Sequence, residues 1–437
     1  MTAGGRQRQM EEPRLRKRNY GALLTEGSLF FTGMSFIDVN AVIPVFIYAY
    51  TGSVRLAGLA ATISAAASIL VQLMVGPHIR RLRNLPAYIT LVMFLIRPLP
   101  FVMIPVLLLD LPPPLAVGVF FLVYTLLCGG DGLILVPWAE LFSRTVVPGR
   151  RGLLLGSQQL FGGIGALAAG TIVKTLLDHP RLADGQRFAV LFGAAGAVLT
   201  LSALVMSFAR DLPHPPQLAQ QSPRQYYRSL PRLLGRDRLF CKVVTIRSLS
   251  LVSLMLSPFI VLFGQERLGF APQQVSTLVY LQIIGSLLGG WLWGQVSNRL
   301  GNQQVILLSQ SLALLLAGSA LLLSLGVLPG VPVWLFAPLT LINGVNMAAW
   351  LGYMNYTIDI AAEAYRTHYL LISNLVTLPF TFLTLASGLV IQAAGYRPVF
   401  AVSLAAAVLA VVLARRLPPP QGPVESQAAV MLPPKQV

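Results

Sequence analysis

The chain has 437 residues, of which 55% are hydrophobic and only 11% charged, with a formal net charge of +17 and a mean hydropathy of +0.71. A soluble domain is about a quarter charged, so the composition excludes a soluble globular protein and implies a polytopic membrane protein packed against lipid. The basic excess does not point to nucleic acid, because the arginines concentrate in alternate loops, as the positive-inside rule requires.

In chain order, residues 1–20 read as a polar, disordered cytoplasmic tail with six Lys or Arg residues. Apolar runs long enough to cross a bilayer (~20 residues) then recur. They are read as twelve spans, 21–49, 55–76, 86–109, 113–142, 152–177, 187–209, 241–265, 272–296, 303–325, 331–358, 367–394 and 397–415. Loops after even-numbered spans carry Arg80, Arg81, Arg83, Arg144, Arg150 and Arg151, and then the basic connection 210–240. Both termini and that connection are therefore expected on the cytoplasmic side of a cell (inner) membrane. The architecture expected is an all-α membrane protein: a six-helix bundle over 21–209, a basic linker over 210–240, a second six-helix bundle over 241–415, and a Pro-rich, disordered cytoplasmic tail over 416–437. No cleavable signal peptide is read, and Cys128 and Cys241 are expected to be free thiols.

The two halves repeat. VGPHIRRLRN (75–84) returns as WGQVSNRLGNQ (293–303), with Gly76 and Gly294, and Arg81 and Arg299, each 218 positions apart. GRRGLLLGSQQL (149–160) returns as YRTHYLLISNLV (365–376), with Arg151 and Arg366 offset by 215. A unit of about 216 residues written twice is thus expected to give two pseudo-symmetric bundles.

Two repeated six-span bundles joined by a long basic loop resemble the major facilitator superfamily of secondary transporters, over nearly all of 20–416. The family's loop motif, G-x-x-x-D-R-x-G-R-R, is matched in the second half by Gly294, Asn298, Arg299 and Gly301, with Asn in the acidic place. The first copy keeps Gly76 and Arg81, but Arg80 fills the acidic position and Arg83 the second glycine. The resemblance implies that spans 1, 4, 7 and 10 line a central cavity, that the bundles rock by alternating access, and that Arg81 and Arg299 serve a cytoplasmic gate. Glu140 and Asp359, at the cytoplasmic ends of spans 4 and 10, are candidate acceptors for them. The family's drug/proton antiporters carry a Gly-Pro motif in span 5; here that span has Gly156, Gly162, Gly163, Gly165 and Gly170 but no proline.

Ionisable groups inside spans are costly and point to function. Three are read here: Asp38 in span 1, Arg97 in span 3 and Asp131 in span 4. Arg97 and Asp131 each lie about 16 Å from a cytoplasmic boundary and Asp38 about 25 Å, at ~1.5 Å per residue. An Arg97–Asp131 pair is expected, either as glue between helices or as a proton-exchanging carboxylate tuned by an arginine. Glu26 and Arg247, near span ends, are read as snorkelling or capping groups. On span 4, Tyr124, Asp131 and Trp138 recur every seven residues, on one helical face. Asn343, Asn346, Trp350 and Tyr353 form the matching stripe on span 10. With Gln158 and Asn374, which the repeat places equivalently, they are the candidate substrate contacts. The competing reading is an aromatic belt with interhelical hydrogen bonds.

Other chemistry is not found in the sequence: no phosphate-binding loop, no nucleophile elbow, no HExxH, and four histidines without metal-ligand spacing. No cofactor, metal or enzymatic activity is expected. The reading is a proton-coupled secondary transporter, expected as a monomer, that exports a drug-like, hydrophobic or cationic metabolite. The alternatives are proton-coupled uptake of a sugar or other nutrient, and a lipid flippase or passive facilitator. Asp38 and Asp131 are the candidate proton sites, with Arg97 as partner.

Overall fold

A computed structural model describes residues 3–39, 42–52, 56, 59, 60, 63, 66–72, 74, 84–177, 179, 181–211, 235, 237–327, 330–362 and 365–419. Among these residues there is no strand. The helices are α1 (Ala3–Ser35), α2 (Val42–Thr51), α3 (Leu85–Ile96), α4 (Met103–Leu108), α5 (Pro113–Thr145), α6 (Arg151–Leu177), α7 (Asp184–Met206) and α8 (Arg238–Ser253). They continue with α9 (Phe259–Leu268), α10 (Pro272–Leu300), α11 (Asn302–Ser324), α12 (Val333–Met347), α13 (Trp350–Ile360), α14 (Arg366–Thr377), α15 (Leu383–Ala394) and α16 (Tyr396–Ala414). Nine helical stretches among the described residues are long and apolar enough to cross a membrane.

Several expected spans are interrupted, and proline is the usual cause. Pro44 stands in the first turn of α2, where its missing N–H costs nothing. The preceding chain therefore breaks after Ser35, and the Asp38 carbonyl accepts the N–H groups of Val42 and Ile43. The continuous helix expected over 21–49 is thus corrected to two. Pro98 and Pro100 end α3 at Ile96, and a 3₁₀ turn (Leu99–Val102) follows. Pro258 and Pro379 separate α8 from α9 and α14 from α15 in the same way. The α12–α13 break at Ala348–Ala349 has no proline. There the Val345 carbonyl accepts from the Trp293 indole at 2.8 Å, and this side-chain donor holds the helix open.

The expectation of a disordered tail over 1–20 is also corrected. Residues 3–20 continue α1 as a helix. Arg16 donates to the Arg144 carbonyl, and Asn19 both donates to and accepts from the backbone of Arg210, at 2.7 and 2.9 Å. At the other end, Leu417 is buried and Tyr356 Oη donates to the Pro418 carbonyl at 2.8 Å, so the last segment starts out pinned. Most of the 210–240 linker and residues 420–437 lie outside the described residues.

The chain parts into two compact units. The first holds residues 1–147 and 158–222; the second holds 148–157 and 223–437. In the first, Phe46, Phe120, Phe188 and Phe192 meet at 5.1–5.9 Å, and Tyr124 stacks on Phe120 at 5.4 Å. In the second, Phe263 packs edge-on to Tyr396 and Phe400. The outward faces are apolar too: Leu91 and Leu95 on α3, and Leu115, Leu122 and Leu126 on α5, are exposed. A surface of this kind is at rest only against lipid.

Glycines set the closest helix approaches. A Cβ on Gly344 of α12 would lie 1.9 Å from the Gln282 carbonyl oxygen, and one on Gly285 would lie 2.2 Å from that of Leu341, so α10 and α12 touch backbone to backbone. Gly301, between α10 and α11, has φ +89°, which favours glycine at that motif position.

Candidate functional site

Each unit encloses a polar cluster within its apolar wall. In the first, Arg97 caps the C-terminus of α3, donating its backbone N–H to the Met93 carbonyl at 2.9 Å. A cation is favoured there by the helix dipole. Its guanidinium donates to Glu26 Oε1 of α1 at 2.9 Å and to Ser202 Oγ of α7, and sits 4.8 Å from the Phe30 ring centroid. The other Glu26 oxygen accepts from Trp138 Nε1 of α5 at 3.0 Å. Four elements therefore converge on one ion pair whose side chains are each 3% exposed.

This corrects two expectations. Arg97 pairs with Glu26 rather than Asp131, and Glu26 is buried rather than snorkelling. The sequence distance of 71 residues concealed the pair. Asp131 is half-buried on α5 and makes no ion pair among the described residues. Asp38 lies in the α1–α2 break, partly exposed, where its backbone carbonyl accepts from Val42 and Ile43. Tyr124 belongs to the aromatic core. Gln158 is buried and donates to the Leu23 carbonyl at 2.6 Å, lying across Gly27.

In the second unit, Arg247 of α8 donates to Ser373 Oγ at 2.7 Å and to Asn374 Oδ1 at 3.2 Å, both on α14. Among the described residues it has no carboxylate partner. It is half-buried, and its bonds turn inward rather than out to the membrane surface, so snorkelling is corrected here as well. One turn on, Ser250 and the Tyr353 hydroxyl both accept from Gln310 Nε2, at 3.0 and 2.9 Å. Asn343 exchanges two bonds with Ser257, at 2.7 and 3.1 Å. Asn346, 2% exposed, finds no partner for either end of its amide among the described residues. Trp350 is exposed at the start of α13. Sequence reading missed Ser202, Ser257, Gln310 and Ser373; Gln310, an amide inside an apolar run, was the one that carried a usable signal.

The motif residues fall differently from expectation. Gly76 and Arg81 lie outside the described residues. Asn298 and Arg299 are exposed and unpaired among the described residues. Asp359 instead accepts from Arg151 Nη1 at 2.5 Å and from Asn302 Nδ2 at 2.7 Å, and Asn302 accepts from Ser297 Oγ at 2.6 Å. Glu140 pairs with Arg144 one helical turn away, at 2.8 Å. Arg299 stands at the exposed end of α10, whereas Arg151 is delivered into the second unit by residues 148–157. Gly152 and Gly156 allow that approach, leaving no room for a Cβ beside Ser297 and the Gly290 carbonyl.

The sequence profile of the Major Facilitator Superfamily matches residues 27–378. The chain therefore belongs to that superfamily of membrane transporters. Solved structures share the fold at low identity. A bacterial homologue of the iron transporter ferroportin, in an outward-facing state, aligns with TM-score 0.72 and 13% identity over 91% of this chain and 98% of that one. The E. coli fucose:proton symporter FucP, in an outward conformation, aligns with TM-score 0.70 and 14% identity over 91% and 98%. The proton:xylose symporter XylE aligns with TM-score 0.71 and 13% identity over 96% and 100%. No curated protein matches by sequence.

Proposed function

We propose that the protein is a proton-coupled secondary transporter working by alternating access, with Asp131 as the titrating group and the Glu26–Arg97 pair as the fixed charge that tunes it. The observation that carries this reading is the ion pair itself, buried among apolar helices, with the Asp131 carboxylate two turns from Trp138 on the same face of α5. An intramembrane charge costs a few kcal/mol, and a pair that only glued helices would not need a third ionisable group on the helix face that also carries Trp138.

The solute we propose has an apolar body and at least one hydrogen-bond acceptor or negative group. Within the second unit, the exposed Trp350 suits the body, and Asn346 and Arg247, which has no carboxylate partner among the described residues, suit the acceptor. Export of such a metabolite or drug-like compound is the first reading, with the basic loops and both termini cytoplasmic. Proton-coupled sugar uptake is the second, favoured by the sugar:proton symporters among the fold neighbours.

The test is reconstitution in liposomes with a trapped pH dye, screening a panel of cations, organic anions, drugs and sugars in wild type and Asp131→Asn. Solute-dependent proton flux that disappears in the variant is the expected result, and its sign separates symport from antiport. Solute movement indifferent to both the variant and a pH gradient overturns proton coupling and leaves a facilitator or flippase.

A further inference from the structure

We propose that the first unit carries a binding site for one anionic phospholipid, in a groove between the start of α1 and the end of α7. A cavity of about 610 Å³ lies there. Its polar end is formed by Arg14, Lys17 and Arg18, its floor by Gly21, and its apolar wall by Val205 and Phe208. The basic residues and Gly21 fall at successive turns of one face of α1 and are all exposed.

Three features select the occupant. The first is charge: none of the three cations has a hydrogen-bond or ion-pair partner among the described residues. Arg16, on the opposite face, shows what α1 does with a structural arginine, since it bonds to the Arg144 and Thr145 carbonyls. The second is the change of chemistry along the groove. Three cations give way within a turn to the uncharged Gly21, Ala22 and Thr25, with the apolar Val205 and the exposed Phe208 beside them. A free phosphate ester would use only the polar end; a phospholipid matches both, with its phosphate among the cations and an acyl chain along the wall. The third is space: a Cβ at Gly21 would meet nothing within 4 Å among the described residues, so the groove is open at that point.

The site is independent of solute transport and does not rest on the proposed coupling. It is tested by native mass spectrometry of the purified full chain in detergent, titrated with phosphatidylglycerol or with phosphatidylcholine. One retained phosphatidylglycerol, in clear excess over phosphatidylcholine, is expected. Retention should fall about a hundredfold in the triple variant Arg14→Gln/Lys17→Gln/Arg18→Gln, given the worth of a basic residue at an anionic surface. It should also fall at least tenfold in Gly21→Leu, which keeps every charge and fills the groove. Circular dichroism of Gly21→Leu should match wild type and its unfolding midpoint should be no lower, because the added side chain meets nothing within 4 Å at its Cβ and leucine replaces glycine inside α1. Equal retention of the two lipids, or phosphatidylglycerol retained by the triple variant, overturns the proposal. Displacement of the lipid by equimolar glycerol 3-phosphate overturns the acyl-chain part and makes a soluble phosphate ester the occupant.

Discussion

Arg97 and Glu26 meet at 2.9 Å across 71 positions of chain, and neither side chain has more than 3% of its surface exposed. Removing one partner strands a buried charge, which costs about 3–5 kcal/mol, whereas replacing both by apolar groups of similar volume is near neutral. Arg97→Met and Glu26→Leu are each expected to lower the thermal unfolding midpoint in detergent sharply. The double variant should recover most of the loss yet stay inactive in proton-coupled transport. A double variant as unstable as either single one would mean that Ser202 and Trp138, not the pair, carry the stability.

How much of this was legible beforehand depended on distance along the chain. Helical nature and repeat came from apolar period and spacing, both local properties. Gln158 and Asn374 were matched by the repeat, and each does reach a neighbouring helix of its own unit, Gln158 to Leu23 of α1 and Asn374 to Arg247 of α8. The Glu26–Arg97 pair was not legible, because every acid in an apolar run is an equal candidate until the helices are placed. Breaks at Pro44, Pro98, Pro258 and Pro379 were readable from proline chemistry alone, and the long-span reading passed over them. The α12–α13 break was not, since its cause is the Trp293 indole, 52 residues away.

Asp359 is the common acceptor for Arg151 and Asn302, and Arg151 belongs to the short segment 148–157 that packs with the second unit. Asp359→Ala leaves the buried Arg151 guanidinium without its carboxylate. Hydrogen–deuterium exchange should show residues 148–157 losing protection while α16 is unchanged, and midpoint stability should fall by about 3 kcal/mol or more. Arg299→Ala, which removes an exposed cation without an ion pair among the described residues, should leave both readings within about 0.5 kcal/mol of wild type.

Gly344 offers a separate handle on the α10–α12 contact. The atom that a new Cβ would strike, at 1.9 Å, is the Gln282 backbone oxygen, which has no side-chain freedom to move away. Gly344→Ala is therefore expected to separate the two helices and cost about 1–3 kcal/mol. Gly170→Ala is the control: its Cβ meets nothing within 4 Å, and trading glycine for alanine inside α6 should stabilise by about 0.5–1 kcal/mol. Thermal unfolding of the two variants side by side decides the point, and equal midpoints would show that the close approach relaxes freely.

Asn346 sets stability against function. Its amide is 2% exposed at the last turn of α12, beside the break before α13, and neither polar end has a partner among the described residues. A buried amide without bonds costs about 1–3 kcal/mol, a strain that persists when the group has work to do with something that comes and goes. Neighbouring Asn343, fully bonded to Ser257, has no such freedom. Asn346→Leu should thus raise the unfolding midpoint, by the equivalent of about 1–3 kcal/mol, while cutting solute transport at least tenfold, and Asn343→Leu should lower stability instead. If Asn346→Leu gains stability and transports normally, the amide is a bystander, and the solute contacts in the second unit must be sought around Arg247 and Tyr353.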